Sequence, residues 1–206
     1  MKSLMKRFVG PMLCSVLLAG CVGDILESKV EEPQVYVLRV GEPSIAQVAY
    51  PAQISVALPT AAPGLDTSRI AVLRNHSELD YYYGARWGAA APQVVQAFVI
   101  DTLQGQQGFK SITADAQPVD ADYLLTLHLQ DFQAVYVDGK SDPIVEVTLN
   151  GALIDVKARK LYAQINAAAR VPADDNRLGA VVAAFQTAMQ QASATLSSQL
   201  AAAAAK

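Results

Sequence analysis

The hydrophobic pattern is most regular in the second half of the chain. From Asp122 to Tyr136 apolar side chains occupy alternate positions, and their parity changes near Asp131, which predicts a strand containing a β-bulge. Two further alternating runs follow, one carrying Val145 to Leu153 and one carrying Leu161 to Val171. Turn residues separate the three runs, so together they predict an antiparallel meander.

Two other segments repeat their apolar residues at steps of three and four, the spacing of a helix that packs on a sheet. The first begins at Pro92, a residue suited to the first turn of a helix, and runs toward Gly105. The second follows Asp174-Asp175-Asn176, whose side chains are expected to cap its free amides. Its apolar stripe consists of Leu178, Val181, Val182, Phe185, Met189, Ala192, Leu196 and Leu200.

Shorter runs predict strands at 35–40, 53–58, 68–73, 78–83 and 108–113. The run at 68–73 is apolar on both faces and is expected to be a central strand. Strands interleaved with two helices predict the α/β class, as a layered sandwich of a mixed, largely antiparallel sheet with packed helices.

The first 20 residues have the organisation of a secretory signal. Lys2, Lys6 and Arg7 precede an apolar run, and Leu18-Ala19-Gly20 leads directly into Cys21. A cysteine at this position is the lipobox of bacterial lipoproteins, which are cleaved before the cysteine and acylated on it. We therefore expect a signal peptide at 1–20, a lipidated tether at 21–33 and a single domain at 34–206. Val22 follows the cysteine where an inner-membrane lipoprotein typically has aspartate, which favours the outer membrane, with the domain facing the periplasm.

Charge and cysteine content narrow the range of possible functions further. The chain has 16 Lys plus Arg and 19 Asp plus Glu, and the signal removes three bases and no acids, so the mature chain is mildly acidic. An acidic domain argues against a nucleic acid or an anionic lipid surface as its main partner. Of the two cysteines, Cys14 leaves with the signal and Cys21 carries lipid, which leaves no thiol chemistry in the domain.

Catalytic and metal-binding motifs are missing from the sequence. It has no GxSxG, Walker, GxGxxG or HExxH pattern, and its two histidines, His76 and His128, have no companions at ligand spacing. The acidic pairs at 120/122 and 174/175 could suggest acid–base chemistry, but turn and helix-cap roles explain both pairs more simply. We therefore expect no catalytic residues, no metal and no cofactor, and a protein that is not an enzyme.

The segment Asp80 to Trp87 has the most unusual composition, with three consecutive tyrosines, an arginine and the only tryptophan. These residue types are enriched at interface anchors, which makes Tyr82, Arg86 and Trp87 candidate partner contacts. The alternative is that Tyr81, Tyr83 and Trp87 fill the core while Tyr82 lies on the other face.

Several of these features occur in an order that resembles the ABC-type transport auxiliary lipoprotein family. They are the lipobox, Tyr36-Val37-Leu38, Leu65-Asp66 with Arg69-Ile70-Ala71-Val72, the stretch from Tyr82 to Trp87 with Pro92 after it, and Ala121-Asp122-Tyr123-Leu124-Leu125. The resemblance implies a fold similar to the amino-terminal domain of the TolB protein, and it implies no catalytic residues. It also implies an ABC permease and ATPase, an MCE-domain subunit and a ring-like homo-oligomer as partners. The alanine-rich end at 201–205 departs from the family pattern.

These sequence features leave three functions to be considered. The first is an outer-membrane docking component in lipid or hydrophobic-solute transport, held by acyl chains such as palmitate on Cys21. The second is a tethered regulator of a periplasmic cell-wall synthase, which the short tether disfavours. The third is a hydrolase, which would depend on one of the acidic residues or histidines.

Overall fold

The computed structural model describes residues 32–42, 50–75, 77–115, 120–137 and 141–205. The signal, Cys21, most of the tether and His76 lie outside the described residues. Residues Pro33–Lys206 make up one compact unit. Its elements in chain order are β1 (Gln34–Tyr36), β2 (Tyr50–Val56), β3 (Thr60–Ala61), β4 (Arg69–Arg74), β5 (Glu78–Trp87), α1 (Ala91–Gln106), β6 (Phe109–Ala114), β7 (Tyr123–Tyr136), β8 (Ile144–Asp155), β9 (Lys160–Pro172) and α2 (Leu178–Ala204).

The long strand β7 is the centre of a nine-stranded sheet. On one side it pairs antiparallel with β8 over nearly its whole length, and β8 pairs antiparallel with β9, which confirms the predicted meander. On its other side β7 pairs in parallel with β2, β3 and β4 in turn. Strand β6 extends the sheet beyond β2, and β5 and then β1 extend it beyond β4. The sheet is therefore mixed, and its longest pairings are antiparallel.

The change of parity along β7 has the predicted cause. The register with β8 shifts between Leu129 and Asp131, so a β-bulge lies where the alternation changes. Because of this shift, Leu129 and Phe132 both face the core although their sequence spacing is odd. Strand β4 is central, as its two-sided apolar pattern predicts, with Ile70, Ala71 and Val72 all buried.

Both helices contribute to one hydrophobic core on one face of the sheet. Ser197 of α2 donates a hydrogen bond to Gln106 of α1, so the helices lie side by side. Every residue of the predicted α2 stripe is buried except Leu178 and Val182, which are partly buried. Among the described residues, no helix combines the length and the hydrophobicity that crossing a bilayer requires.

The predicted cap of α2 is wrong. The N-cap residue is Arg177, and no side chain caps the helix. Instead, Asp175 accepts the Arg177 N–H at 2.7 Å and pairs with its guanidinium, which lowers the pKa of the Asp175 carboxyl. Asn176 accepts the hydroxyl proton of Tyr136. Both side chains are therefore hydrogen-bonded to other groups, and the backbone N–H groups of the first turn of α2 have no side-chain cap.

The first predicted strand is also shorter than expected. It ends at Tyr36, and the following residues cross the helical layer with Leu38 and Val40 half-buried against the core. The side-chain amide of Gln186 in α2 accepts the Arg39 N–H at 2.9 Å and donates to the Arg39 carbonyl. This amide takes the place of a neighbouring strand, which explains why an apolar extended segment does not join the sheet.

Glutamine side chains from the helices also bind the outer strands of the sheet. Gln104 of α1 donates to the Ile112 carbonyl of β6 at 2.8 Å. Gln199 of α2 accepts the Asn166 N–H of β9 at 3.0 Å and donates to the Asn166 carbonyl at 2.7 Å. Each amide satisfies backbone groups at an edge that would otherwise be open to another strand.

Candidate docking surface

Strand β5 carries a large bulge in the segment with the unusual composition. Arg69 of β4 pairs with Arg86, and Ala71 pairs with Tyr81, so the single residue Ile70 faces Tyr82–Ala85. Gly84 has φ +64, in the left-handed region that favours glycine, and a Cβ on it would meet no atom within 4 Å. The bulge therefore projects into open space, and the side chain of Tyr83 at its tip is 99% exposed.

Tyr82 supports the bulge from below. Its half-buried hydroxyl lies 2.9 Å from the hydroxyl of Tyr136, which in turn donates to Asn176 before α2. The Arg74 guanidinium lies 5.1 Å from the Tyr136 ring centre. Burial, and then the hydrogen bond with Tyr136, raise the pKa of Tyr82 above its ordinary range, so the hydroxyl stays protonated and can donate. This network ties the bulge to β7 and to the start of α2.

Two arginines lie beside the bulge on one face of the sheet. Arg69 and Arg86 are directly opposite each other on β4 and β5, which places their side chains on the same face. Arg69 is exposed and covers the ring of Tyr81, with its guanidinium carbon 3.7 Å from the ring centre. Arg86 is half-buried. Within the described residues no carboxylate lies within 4.0 Å of either guanidinium. Two positive charges on the same face of the sheet, without a carboxylate partner among the described residues, attract an anionic group.

The structure separates the three candidate residues. Trp87 is fully buried, with Phe132 and Phe185 rings at 5.5 and 5.1 Å, so the core alternative applies to it and it cannot contact a partner. Its indole N–H has no hydrogen-bond partner among the described residues. Of the three candidates, Tyr82 therefore lies within the bulge and Arg86 lies directly after it. The core alternative is wrong for Tyr83, because the bulge turns its side chain outward.

We define the docking surface as Arg69, Tyr81, Tyr83 and Arg86. The predicted strand at 78–83 ends inside the bulge, so the core alternative placed Tyr83 on the same side as Tyr81 and Trp87. The glycine directly after three tyrosines was the available signal, since glycine within a strand often marks a bulge. The arrangement offers one free aromatic ring and two guanidinium groups, which can bind acidic and aromatic side chains.

The other candidate residues have structural roles. His128 is exposed, and its Nδ1 lies 2.9 Å from the Thr60 hydroxyl. Asp122 accepts the Gln53 backbone N–H at 3.0 Å and pairs with Lys157 at 3.3 Å, and the first of these bonds is the main reason that its carboxyl pKa is lowered. In the part of the chain that the structure describes, no three His, Cys, Asp or Glu side chains converge on a common point.

Comparison with solved structures supports the fold. Protein XCC0632 from Xanthomonas campestris, of family model DUF330, is 23% identical, with 82% of this chain and 96% of that chain covered and a TM-score of 0.73. An uncharacterized protein is 14% identical over 82% of this chain and 99% of its own, with a TM-score of 0.64. The PelC L103M dodecamer from Paraburkholderia phytofirmans is more distant, at 14% identity, coverage of 77% and 95%, and a TM-score of 0.44. No curated protein sequence matches the chain.

One family model matches residues 36–197, from the last residue of β1 to the eighth residue from the end of α2. Its description is "ABC-type transport auxiliary lipoprotein component". The match includes strands β2 to β9 with the bulge of β5, all of α1 and most of α2, which together amount to well over half of the sequence. The chain therefore belongs to the ABC-type transport auxiliary lipoprotein family.

Proposed function

We propose that this protein is a non-enzymatic docking component of an ABC-type intermembrane transport system that moves lipids or other hydrophobic solutes. Acylated Cys21 anchors it in the outer membrane, with the domain in the periplasm, and an MCE-domain subunit is its direct partner. Membership of an auxiliary lipoprotein family supports the lipid anchor and the association with an ABC system. The lipobox supports the same anchor from the sequence, and Val22 after Cys21 supports the choice of membrane.

The observation that carries the docking role is the projecting bulge of β5. A tyrosine that is 99% exposed, next to a glycine in the left-handed region, contributes nothing to the packing of the domain itself. The bulge is nevertheless held in a fixed position by the hydroxyl network beneath it. A rigid, exposed aromatic side chain is an effective binding anchor, because little side-chain entropy is lost when it becomes buried.

The charge of the docking surface indicates the chemistry of the partner. Arg69 and Arg86 share one face, and Arg69 is stacked on Tyr81, which fixes the direction of its guanidinium. A planar guanidinium in a fixed direction favours bidentate pairing with a carboxylate. We expect the partner to present an acidic side chain to the arginines and an apolar recess to Tyr83.

Site-specific photocrosslinking in cells tests this proposal. A benzophenone amino acid replaces Tyr83, and the matched control carries it at Gln164, which is also exposed but lies on β9. We expect the Tyr83 position to capture an MCE-domain or ABC-system subunit and the Gln164 position to capture none. An Arg69→Gln/Arg86→Gln variant should reduce the crosslink, whereas Arg69→Lys/Arg86→Lys should retain part of it, since charge remains but bidentate geometry is lost.

Two results would contradict the proposal. If Tyr83 captured no transport component while the protein was correctly anchored, the bulge would not be the docking site. If it captured a cell-wall synthase, the regulator hypothesis would replace docking.

A further inference from the structure

The turn between β8 and β9 differs from the rest of this acidic chain. All residues from Val156 to Tyr162 are exposed, and we call this segment the basic turn. It contains three cations, Lys157, Arg159 and Lys160, within four positions. Three apolar or aromatic side chains flank the cations, and Val156, Leu161 and Tyr162 are 44%, 59% and 39% exposed. Cations beside exposed apolar groups are typical of segments that bind at the surface of a bilayer.

The backbone of the basic turn is held in one conformation. Arg159 has φ +53, although glycine, asparagine and aspartate are the residues usually found in this region. The Asp155 carboxylate accepts the Ala158 N–H at 2.7 Å, which closes the turn. The Tyr162 ring lies 4.9 Å from that of Tyr123, and its hydroxyl donates to the Ala203 carbonyl of α2. The basic turn is therefore fixed by contacts with β7 and α2, and Arg159 lies in it at a position that strains a non-glycine residue.

The nearby carboxylates offset only part of these charges, because the three cations of the basic turn and Lys110 lie near two carboxylates, Asp122 and Asp155. Asp122 is paired with Lys157 and accepts a backbone N–H, and Asp155 is occupied in closing the turn. Lys110 is also close enough to lower the pKa of Asp122. The Lys157 side chain is 84% exposed despite its ion pair, and Arg159 and Lys160 have no carboxylate within 4.0 Å among the described residues.

We propose that the basic turn binds the surface of a membrane that contains anionic phospholipid, as a second contact in addition to the lipid on Cys21. Lys157, Arg159 and Lys160 contact phosphate groups, and Val156 and Leu161 enter the boundary between headgroups and acyl chains. The net charge of the chain conceals this site, because most of the acidic residues that outnumber the basic ones lie elsewhere. The contact would orient the domain on the membrane, which a single anchor at Cys21 cannot do.

The length of the tether allows both contacts on one membrane. Through the pairing of β1 with β5, β5 with β4 and β4 with β7, Val35 lies level with Asp131, eight residues along β7 from the Tyr123 end beside the basic turn. Eight strand residues span about 25 Å. The dozen residues between Cys21 and β1 can extend to about 40 Å, so the basic turn can reach the bilayer that holds the anchor.

Spin-label depth measurements on the lipidated protein in vesicles test this contact. Because Cys21 is acylated, Ala158→Cys introduces the only free thiol, and Ser77→Cys supplies a control label on the exposed turn between β4 and β5. In phosphatidylglycerol-containing vesicles we expect the label at 158 to become accessible to oxygen and shielded from a water-soluble nickel complex. The label at 77 should remain accessible to the nickel complex.

Charge variants test the mechanism. Each cation contributes a factor of about five to the equilibrium constant for contact of the basic turn with the membrane. The triple variant Lys157→Gln/Arg159→Gln/Lys160→Gln should therefore lower this constant about 100-fold. Pure phosphatidylcholine vesicles, or 1 M NaCl, which shortens the Debye length to about 3 Å, should also abolish the shift. A label at 158 that stays as exposed to water as the label at 77 at every lipid composition would overturn the proposal. An acidic protein surface would then be the remaining occupant. Failure of the Tyr83 crosslink would leave this result unaffected.

Discussion

Replacing Gly84 by alanine measures how much the bulge of β5 depends on backbone conformation alone. Its φ of +64 is the only obstacle, because a Cβ at this position would have no neighbour within 4 Å. A left-handed conformation costs an alanine about 1–2 kcal/mol, and asparagine should cost about half as much because its short polar side chain is tolerated there. We therefore expect Gly84→Ala to lower the free energy of unfolding by about 1–2 kcal/mol, and Gly84→Asn by less.

Two other glycines serve as matched controls. At Gly151 of β8 a Cβ would lie 2.0 Å from the Thr126 carbonyl oxygen, an atom of the neighbouring strand that cannot move aside. Gly151→Ala should therefore cost about 3 kcal/mol or more through overpacking. At Gly179, in the first turn of α2, a Cβ would meet nothing within 4 Å, so Gly179→Ala should stabilise the protein by up to about 1 kcal/mol.

Urea unfolding of the four variants, followed by far-ultraviolet circular dichroism and tryptophan fluorescence, gives the free energies directly. The buried Trp87 reports on the core next to the bulge, so coincident transitions would show that the bulge and the sheet unfold together. Two results would contradict a conformational role for Gly84: equal destabilisation by Gly84→Ala and Gly84→Asn, or a cost of Gly84→Ala as large as that of Gly151→Ala. Either result would mean that space rather than backbone conformation requires the glycine.

Three further outcomes are expected. Trp87→Ala should lower the free energy of unfolding by about 3–5 kcal/mol, because it leaves a cavity between two phenylalanines. Tyr83→Ala should change the free energy of unfolding by less than about 0.5 kcal/mol, because its side chain is exposed. Urea titration of both variants measures the difference. Because the pKa of Asp122 is lowered by the Gln53 N–H, its stabilisation is complete above its ordinary pKa and lost as the pH falls through the lowered value. Asp122→Asn should therefore unfold with a weaker pH dependence in acid, measured as urea midpoints against pH. Cys21→Ala should leave the domain folded but move it from the membrane to the soluble or mislocalised fraction on cell fractionation, and transport should be lost.

The parts of the fold that the sequence predicts well are those in which one face of an element is buried along its whole length. The stripe of α2 and the alternation of β7 are examples, since burial imposes a period on the residues that face the core. The bulge at Asp131 was predictable because it reverses that alternation. The two-residue strand β3 was missed because Thr60–Ala61 is too short to show any period.

The docking surface was less predictable because it depends on contacts between distant residues. Composition identified the segment from Tyr82 to Trp87, but only the register of β5 against β4 shows that Trp87 faces inward and Tyr83 outward. Arg69 becomes part of the surface through its pairing with Arg86, 17 positions along the chain. The cap of α2 was misassigned for a related reason, since Asn176 hydrogen-bonds to Tyr136, 40 residues away.

The glutamine contacts at the outer strands have a consequence for how this protein can assemble. Gln199 binds both backbone groups of Asn166, so a foreign strand aligning along β9 would first have to break two hydrogen bonds in the middle of its path. Gln104 blocks one position of β6 in the same way. Growth of the sheet from molecule to molecule, the route to fibrous aggregates, is therefore penalised at both places. Proteins held side by side on a membrane meet at high local concentration. Under those conditions the two glutamine side chains disfavour backbone hydrogen bonding between the sheets of neighbouring molecules, so contacts between specific side chains are favoured instead.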